Sequence, residues 1–364
     1  MSDLESIEDR LTAWSQEYAD LPLYSSITAN AARDDEVAGL LLSAQPSQAR
    51  PVLLLAALHD LVLDHPDLPV AQWYPSVVGP DAVVTGDPWP EVRAAALAHA
   101  DRLREVIATR STQTNEVNRC VYLAALLQRA CTDVPDLPVG LVEIGASAGL
   151  LLGIDRYRTT IETPGDSHGE RAAYGPADSA VQCLGEDRSA RPAGGLRLPA
   201  IASARGIDLH PVDLSDESAV RWLAACLWPE VPGRYERFTA AVDLLRPDPP
   251  VVDRGDMIDD LPATLARAGG DHLVLFSSWA LTYVERSRRP LVARHLAAAA
   301  RDGRPVSWIT AEPPRCMPEV ELPPRLRDAQ GGTVLGARRW RDGAELEPAY
   351  WGTAHPHGQW FDFA

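Results

Sequence analysis

LVEIGASAGL (residues 141–150) supports two incompatible readings. Gly145-Ala146-Ser147-Ala148-Gly149 has the G-x-S-x-G spacing of a nucleophile elbow, a sharp strand-to-helix turn that exposes a serine hydroxyl. The same stretch is also a short apolar strand carrying an acid, Glu143, and ending in a loop of small residues, which describes a nucleotide cradle. Ser147 is a nucleophile in the first reading and a spacer in the second.

The surroundings of the loop weigh against two enzyme classes. A dinucleotide fingerprint, G-x-G-x-x-G, requires glycine where Ser147 stands, which disfavours NAD and FAD. A hydrolase elbow needs an oxyanion segment upstream. Gly39, Gly79, Gly86 and Gly140 are the glycines that precede the loop, and none stands in an His-Gly pair. An orienting acid (Asp256 or Asp259) and a base (His355 or His357) would still complete a Ser-Asp-His order, so an esterase using Ser147 remains the alternative.

Upstream, residues 1 to about 135 read as helices. Leu4, Ile7, Leu11, Trp14 and Tyr18 recur at helical spacing, and ARPVLLLAALHDLVLDHP (49–66) reads as a buried helix ended by Pro66. Downstream of the loop, a polar Gly/Pro-rich segment at 162–200 reads as an insertion of loop or small hairpins. Strands and helices then alternate: ASARGIDLHP, SAVRWLAACLW, RYERFTAAVDLL, PPVVDRGD, DHLVLFSSWALTYV, PLVARHLAAAARDG and RPVSWIT. Alternation of this kind predicts an α/β fold with a doubly wound, mostly parallel, Rossmann-like sheet. GGTVLGARRWRD and HPHGQWFDF, with no helix between them, predict an antiparallel strand pair closing the sheet edge. The domain reading is therefore 1–135, an all-helical N-terminal lid or substrate domain, and 136–364, the sheet domain.

Composition sets the partners. The formal net charge of -17, with arginine the sole basic residue type besides histidine, disfavours nucleic acid. Without lysine, Schiff-base and P-loop chemistry are excluded. Five cysteines form no C-x-x-C and are odd in number, which predicts reduced thiols and no structural zinc. No apolar run reaches membrane-spanning length and the N-terminal stretch is acidic and amphipathic, so the expectations are no membrane partner and a cytoplasmic location. The oligomeric state is left open.

Three strand-end acids favour the cradle. Glu143 ends the first strand; Asp208, in GIDLHPVD, ends the second and suits a ribose diol; Asp256, in DRGDMIDDLP, follows the third and suits an adenine amino group. With LVLFSSWALTYV as the fourth strand, residues 139–364 resemble the class I S-adenosylmethionine-dependent methyltransferases. The resemblance implies that Glu143 and Gly145 lie by the methionine portion of S-adenosylmethionine, with Ser147 and Gly149 completing the loop, and that Ser277 to Trp279 lie beneath the sulfonium. Ser147 stands where glycine is common in that family, and the segment between loop and Asp208 is longer than usual. The whole chain also resembles an uncharacterised bacterial family widespread in actinobacteria, through TRSTQTNEVNR, EIGASAGL, GIDLHPVD and HPHGQW.

Other candidates follow by position. TQTNEVNR (112–119) offers Gln113, Asn115, Glu116 and Arg119 to a small-molecule substrate, with Arg119 suited to a carboxylate; otherwise the stretch is a helix cap. His357 is a candidate base and Tyr283, just past the fourth strand, a candidate contact for a methyl acceptor. Trp279 suits a cation-π contact, while Trp73, Trp89, Trp222 and Trp228 default to the core. The expectation is methyl transfer from S-adenosylmethionine to a small molecule, the alternatives being the esterase and a non-catalytic binding protein that kept the fold.

Overall fold

The computed structural model describes residues 3–83, 85–164, 171–191, 197–317, 320–327 and 332–364. It divides into two compact units, Met1–Asn115 with Ser215–Thr239, and Glu116–Leu214 with Ala240–Ala364.

The first unit is helical. Its main helices are Asp3–Glu17, Pro22–Ala31, Pro51–Asp64, Trp89–Ala98, Ala100–Thr109 and Glu217–Ala225. Pro51–Asp64 is buried along most of its length, which explains why its sequence is apolar all round rather than striped. The polar residues inside it are satisfied. His59 bonds Ser76 Oγ through Nε2 (2.6 Å) and the Ala225 carbonyl through Nδ1 (3.1 Å), and burial lowers its pKa to about 4. Asp60 accepts from Arg102 (3.1 Å) and Arg221 (3.0 Å), which ties the Glu217–Ala225 helix to this unit.

The second unit carries one mixed sheet of twelve strands: β1 (Val139–Ile144), β2 (Arg158–Glu162), β3 (Arg171–Tyr174), β4 (Gln182–Asp187), β5 (Ile201–Asp208), β6 (Val251–Arg254), β7 (His272–Ser278), β8 (Val306–Glu312), β9 (Thr333–Arg341), β10 (Ala344–Glu345), β11 (Ala349–Ala354) and β12 (Trp360–Phe363). The order is β3-β2-β4-β12-β11-β9-β8-β7-β1-β5-β6, with β10 paired to β9 alone. β6, β5, β1, β7 and β8 are parallel neighbours. After β1 the chain forms β2 to β4 at the far end of the sheet, comes back to lay β5 and β6 on one side of β1, and then crosses to the other side for β7 and β8. β1 is thus flanked on both edges and buried at every residue, which suits its apolar Val139–Val142 run and takes Glu143 out of water with it.

The end of the sheet differs from the sequence expectation. β9 does not pair with β12. β11 lies between them, antiparallel to both, and none of the three closes an edge, because β4 pairs parallel with β12 and β2 and β3 extend the sheet further. The expected insertion at 162–200 supplies β3 and β4, while β2 comes just before it. β4 alternates exposed and buried residues, the period of a strand with one covered face. Within that segment, residues 165–170 and 192–196 lie outside the described residues.

The helix Cys120–Ala130 belongs to the sheet unit, where it packs on β2, β4, β8, β9 and β12. The first boundary between the two units falls between Asn115 and Glu116. Among the described residues no helix is long and apolar enough to cross a membrane.

Candidate functional site

The loop after β1 is built from alternating left-handed residues: Gly145 (φ 70°), Ser147 (φ 52°) and Gly149 (φ 72°). Gly145 is required twice over, since a Cβ there would also lie 2.9 Å from the Ala280 Cβ. The backbone N–H groups of Gly145 and Ala146 donate to the Ile207 carbonyl (2.9 and 3.2 Å) at the end of β5. The Ser147 N–H donates to Asp208 Oδ2 (2.8 Å), and the His210 N–H to Asp208 Oδ1 (2.9 Å). Asp208 is half-buried. A carboxylate offers about four lone-pair positions, so both oxygens keep capacity for further donors.

Behind the loop lies a buried polar cluster. Glu143 is 5% exposed and its Oε2 has no hydrogen-bond partner. Burial raises its pKa well above the usual carboxylate range, the Arg119 charge opposing and the Asp208 charge reinforcing. Glu312, at the end of β8, is fully buried. Its Oε1 accepts the N–H groups of Ala280 (3.1 Å) and Leu281 (3.2 Å), while Oε2 has no partner. Burial raises its pKa to about 7 against the pull of those bonds, of Ser277 and of Arg119. Arg119, also buried, spends its donors on backbone: Nε on the Pro356 carbonyl (2.9 Å) and Nη1 on the Ser278 carbonyl (3.4 Å). Tyr122 bonds Ser278 Oγ (2.9 Å), and Glu116 Oε2 lies 4.0 Å from His357 Nδ1. Among the described residues no group of three His, Cys, Asp or Glu side chains is placed to hold a metal ion.

The structure therefore brings Glu143, Gly145, Ser147, Gly149 and Asp208 together at the ends of β1 and β5. Glu116, Arg119 and His357 lie in the same unit. Ser277 is buried and accepts from Trp308 Nε1 (3.3 Å). Trp279 follows β7 with left-handed backbone (φ 58°), its indole N–H bonded to Thr333 Oγ1 (2.9 Å).

Four candidates stand differently. Asp256 is engaged in a turn: its Oδ1 accepts the N–H groups of Ile258 (2.8 Å) and Asp259 (3.0 Å), and it pairs with Arg288 (3.0 Å). Tyr283 is 74% exposed on a short 3-10 turn. Gln113 and Asn115 belong to the helical unit, whereas Glu116 and Arg119 belong to the sheet unit.

The sequence did not point to Glu312 or Tyr122, and it gave Asn118 no role of its own. Glu312 had a signal, being the acid that ends the fifth parallel strand. Asn118 stood within the quoted TQTNEVNR stretch, and Tyr122 on the helix that follows it.

The chain belongs to a bacterial family: the family described as "Uncharacterized protein conserved in bacteria (DUF2332)" matches residues 10–363. No curated protein and no solved structure matches it significantly.

Proposed function

We propose that the protein binds S-adenosylmethionine at the carboxyl ends of β1 and β5 and transfers its methyl group to a small molecule. The observation that carries this reading is Asp208: the loop's own Ser147 N–H fixes it at the end of the second parallel strand, beside buried Glu143. Taken in chain order, the five parallel strands lie 3-2-1-4-5, the order of a Rossmann-like doubly wound sheet. Such sheets bind ligands where that order reverses, here beyond β1 and β7.

The residues fit the cofactor. The unpartnered Glu143 Oε2 suits the ammonium of the methionine portion, and the remaining lone pairs of Asp208 suit the ribose hydroxyls. Gly145 and Gly149 leave the loop free of side chains for a close approach, and Ser147 adds only a short one. Trp279, with its indole N–H anchored, would offer its ring to a sulfonium. Asp256 is left as a turn anchor. When bound, the cofactor supplies an electrophilic methyl group. The chain's part is to orient the acceptor and exclude water, with His357 as base for an O–H or N–H acceptor and Tyr283 as a contact to it.

Thermal unfolding tests this. At about 100 times its dissociation constant, S-adenosylmethionine should stabilise the fold by roughly 2.7 kcal/mol. No shift at millimolar ligand, in protein shown by mass spectrometry to carry none already, would overturn the reading. The left-handed backbone of Ser147 is also what a nucleophile elbow requires. Covalent labelling of Ser147 by a fluorophosphonate would move the assignment to the esterase.

A further inference from the structure

The segments that follow β7 and β8, together with β9, border an open cleft of about 610 Å³. This is within the size range of small-molecule sites, roughly 300 to 1,000 Å³. Four arginines line it: Arg286, Arg289, Arg315 and Arg338. They concentrate positive charge on a chain whose net charge is -17.

Two of the four are held in place. Arg289 donates to the Val284 carbonyl (3.0 Å) and to the Arg315 carbonyl (2.9 Å), and Arg338 pairs with Glu345 (2.7 Å). The other two differ. Arg286 and Arg315 are exposed, and among the described residues neither has a carboxylate partner. Glu321 is the acidic side chain among the described lining residues. Met317, Val320 and Leu322 add an apolar wall.

We propose that this cleft is a binding site for a small organic acid. A carboxylate or phosphate head would pair with Arg286 and Arg315, and an apolar body would lie against Met317, Val320 and Leu322. A guanidinium stays charged at any working pH and meets either anion through two parallel hydrogen bonds, so the shared requirement is the negative head. The apolar wall selects against the bare ion. The inference goes beyond the cofactor reading and holds or fails without it.

Isothermal titration of the full chain, with no cofactor added, tests the site. Octanoate and phenyl phosphate are the probes, with octanamide as the neutral control and inorganic phosphate as the head group alone. Both organic anions are expected to bind, at least about tenfold more tightly than octanamide or inorganic phosphate, and more weakly as salt is raised. Arg286→Ala with Arg315→Ala should lose at least about tenfold with the melting temperature unchanged, because both side chains are exposed. Arg286→Glu alone should do the same. Octanamide binding as tightly as octanoate would overturn the proposal, as would inorganic phosphate matching phenyl phosphate. Unchanged affinity in the variants, or no binding of either anion at millimolar concentration, would also overturn it.

Discussion

Ser147 holds a conformation that a residue with a Cβ adopts at a cost of about 1 kcal/mol. Ser147→Gly should therefore keep or slightly raise stability and leave cofactor binding intact. Ser147→Val, branched at Cβ, should lower the melting temperature clearly, and thermal unfolding of the two variants checks this. Glu312 gives a second expectation at this scale. Its folded pKa, raised to about 7 by burial, lies above the ordinary 4.5, so the folded state holds the proton more tightly than the unfolded chain. Its contribution is full below about pH 4.5 and is lost as pH rises through 7. His59 and His272, each lowered by burial to about 4, act in the opposite direction between about pH 4 and 6.5. The readout is therefore the difference between wild type and Glu312→Gln. In urea unfolding the variant should gain on the wild type from pH 5 to pH 8, by of the order of 3 kcal/mol at most; a difference independent of pH would refute it. Glu143 and Asp208 were legible because strand-end acids follow from the local pattern. The burial of Glu312 was not, because it depends on neighbours brought in from β7 and from the turn at Ala280.

At the level of elements, one side chain joins β4 to the turn before β12. Asn118 Nδ2 donates to the Leu184 carbonyl (2.9 Å) and the Gly358 carbonyl (3.0 Å), and its Oδ1 accepts the Leu184 N–H (2.9 Å). The pairing of β4 with β12 is itself short, with Glu186 and Asp187 opposite Trp360 and Phe361. Asn118→Ala would leave those backbone groups without their partner, at a cost of about 2–4 kcal/mol in denaturant unfolding. A loss below 0.5 kcal/mol would show that the junction does not depend on it. Gly358 explains the glycine of HPHGQW: its φ is 72°, and a Cβ would fall 2.1 Å from the Asn118 carbonyl oxygen. Two motifs that looked functional in sequence thus meet each other in the structure. The strands β5 to β8 were legible because strand and helix periods are local, although the short helix Leu261–Arg267 between β6 and β7 was not read. The order of β9, β11 and β12 was not, since antiparallel partners are chosen by distant segments, and β3 and β4 were hidden in a polar segment rich in glycine and proline.

At the scale of the whole molecule, the helical unit is assembled from two stretches of chain, and that is what sequence texture concealed. SAVRWLAACLW fits a crossover helix between parallel strands as well as it fits its observed place. Its buried Trp222 and Ala225 join the core of the helical unit, and its Arg221 reaches Asp60 there. The sheet unit in turn concentrates the candidate cofactor contacts in one loop and two strand ends, so the central claim reduces to whether Asp208 and its loop hold S-adenosyl ligands. Isothermal titration of S-adenosylhomocysteine into wild type, Ser147→Gly and Asp208→Ala tests it most directly. The expected result is one site in the first two proteins, and in Asp208→Ala a loss of about tenfold to a hundredfold, the scale of hydrogen bonds to a charged group. No heat in the wild type at millimolar ligand, or an Asp208→Ala protein that binds as tightly as the wild type, would contradict the account.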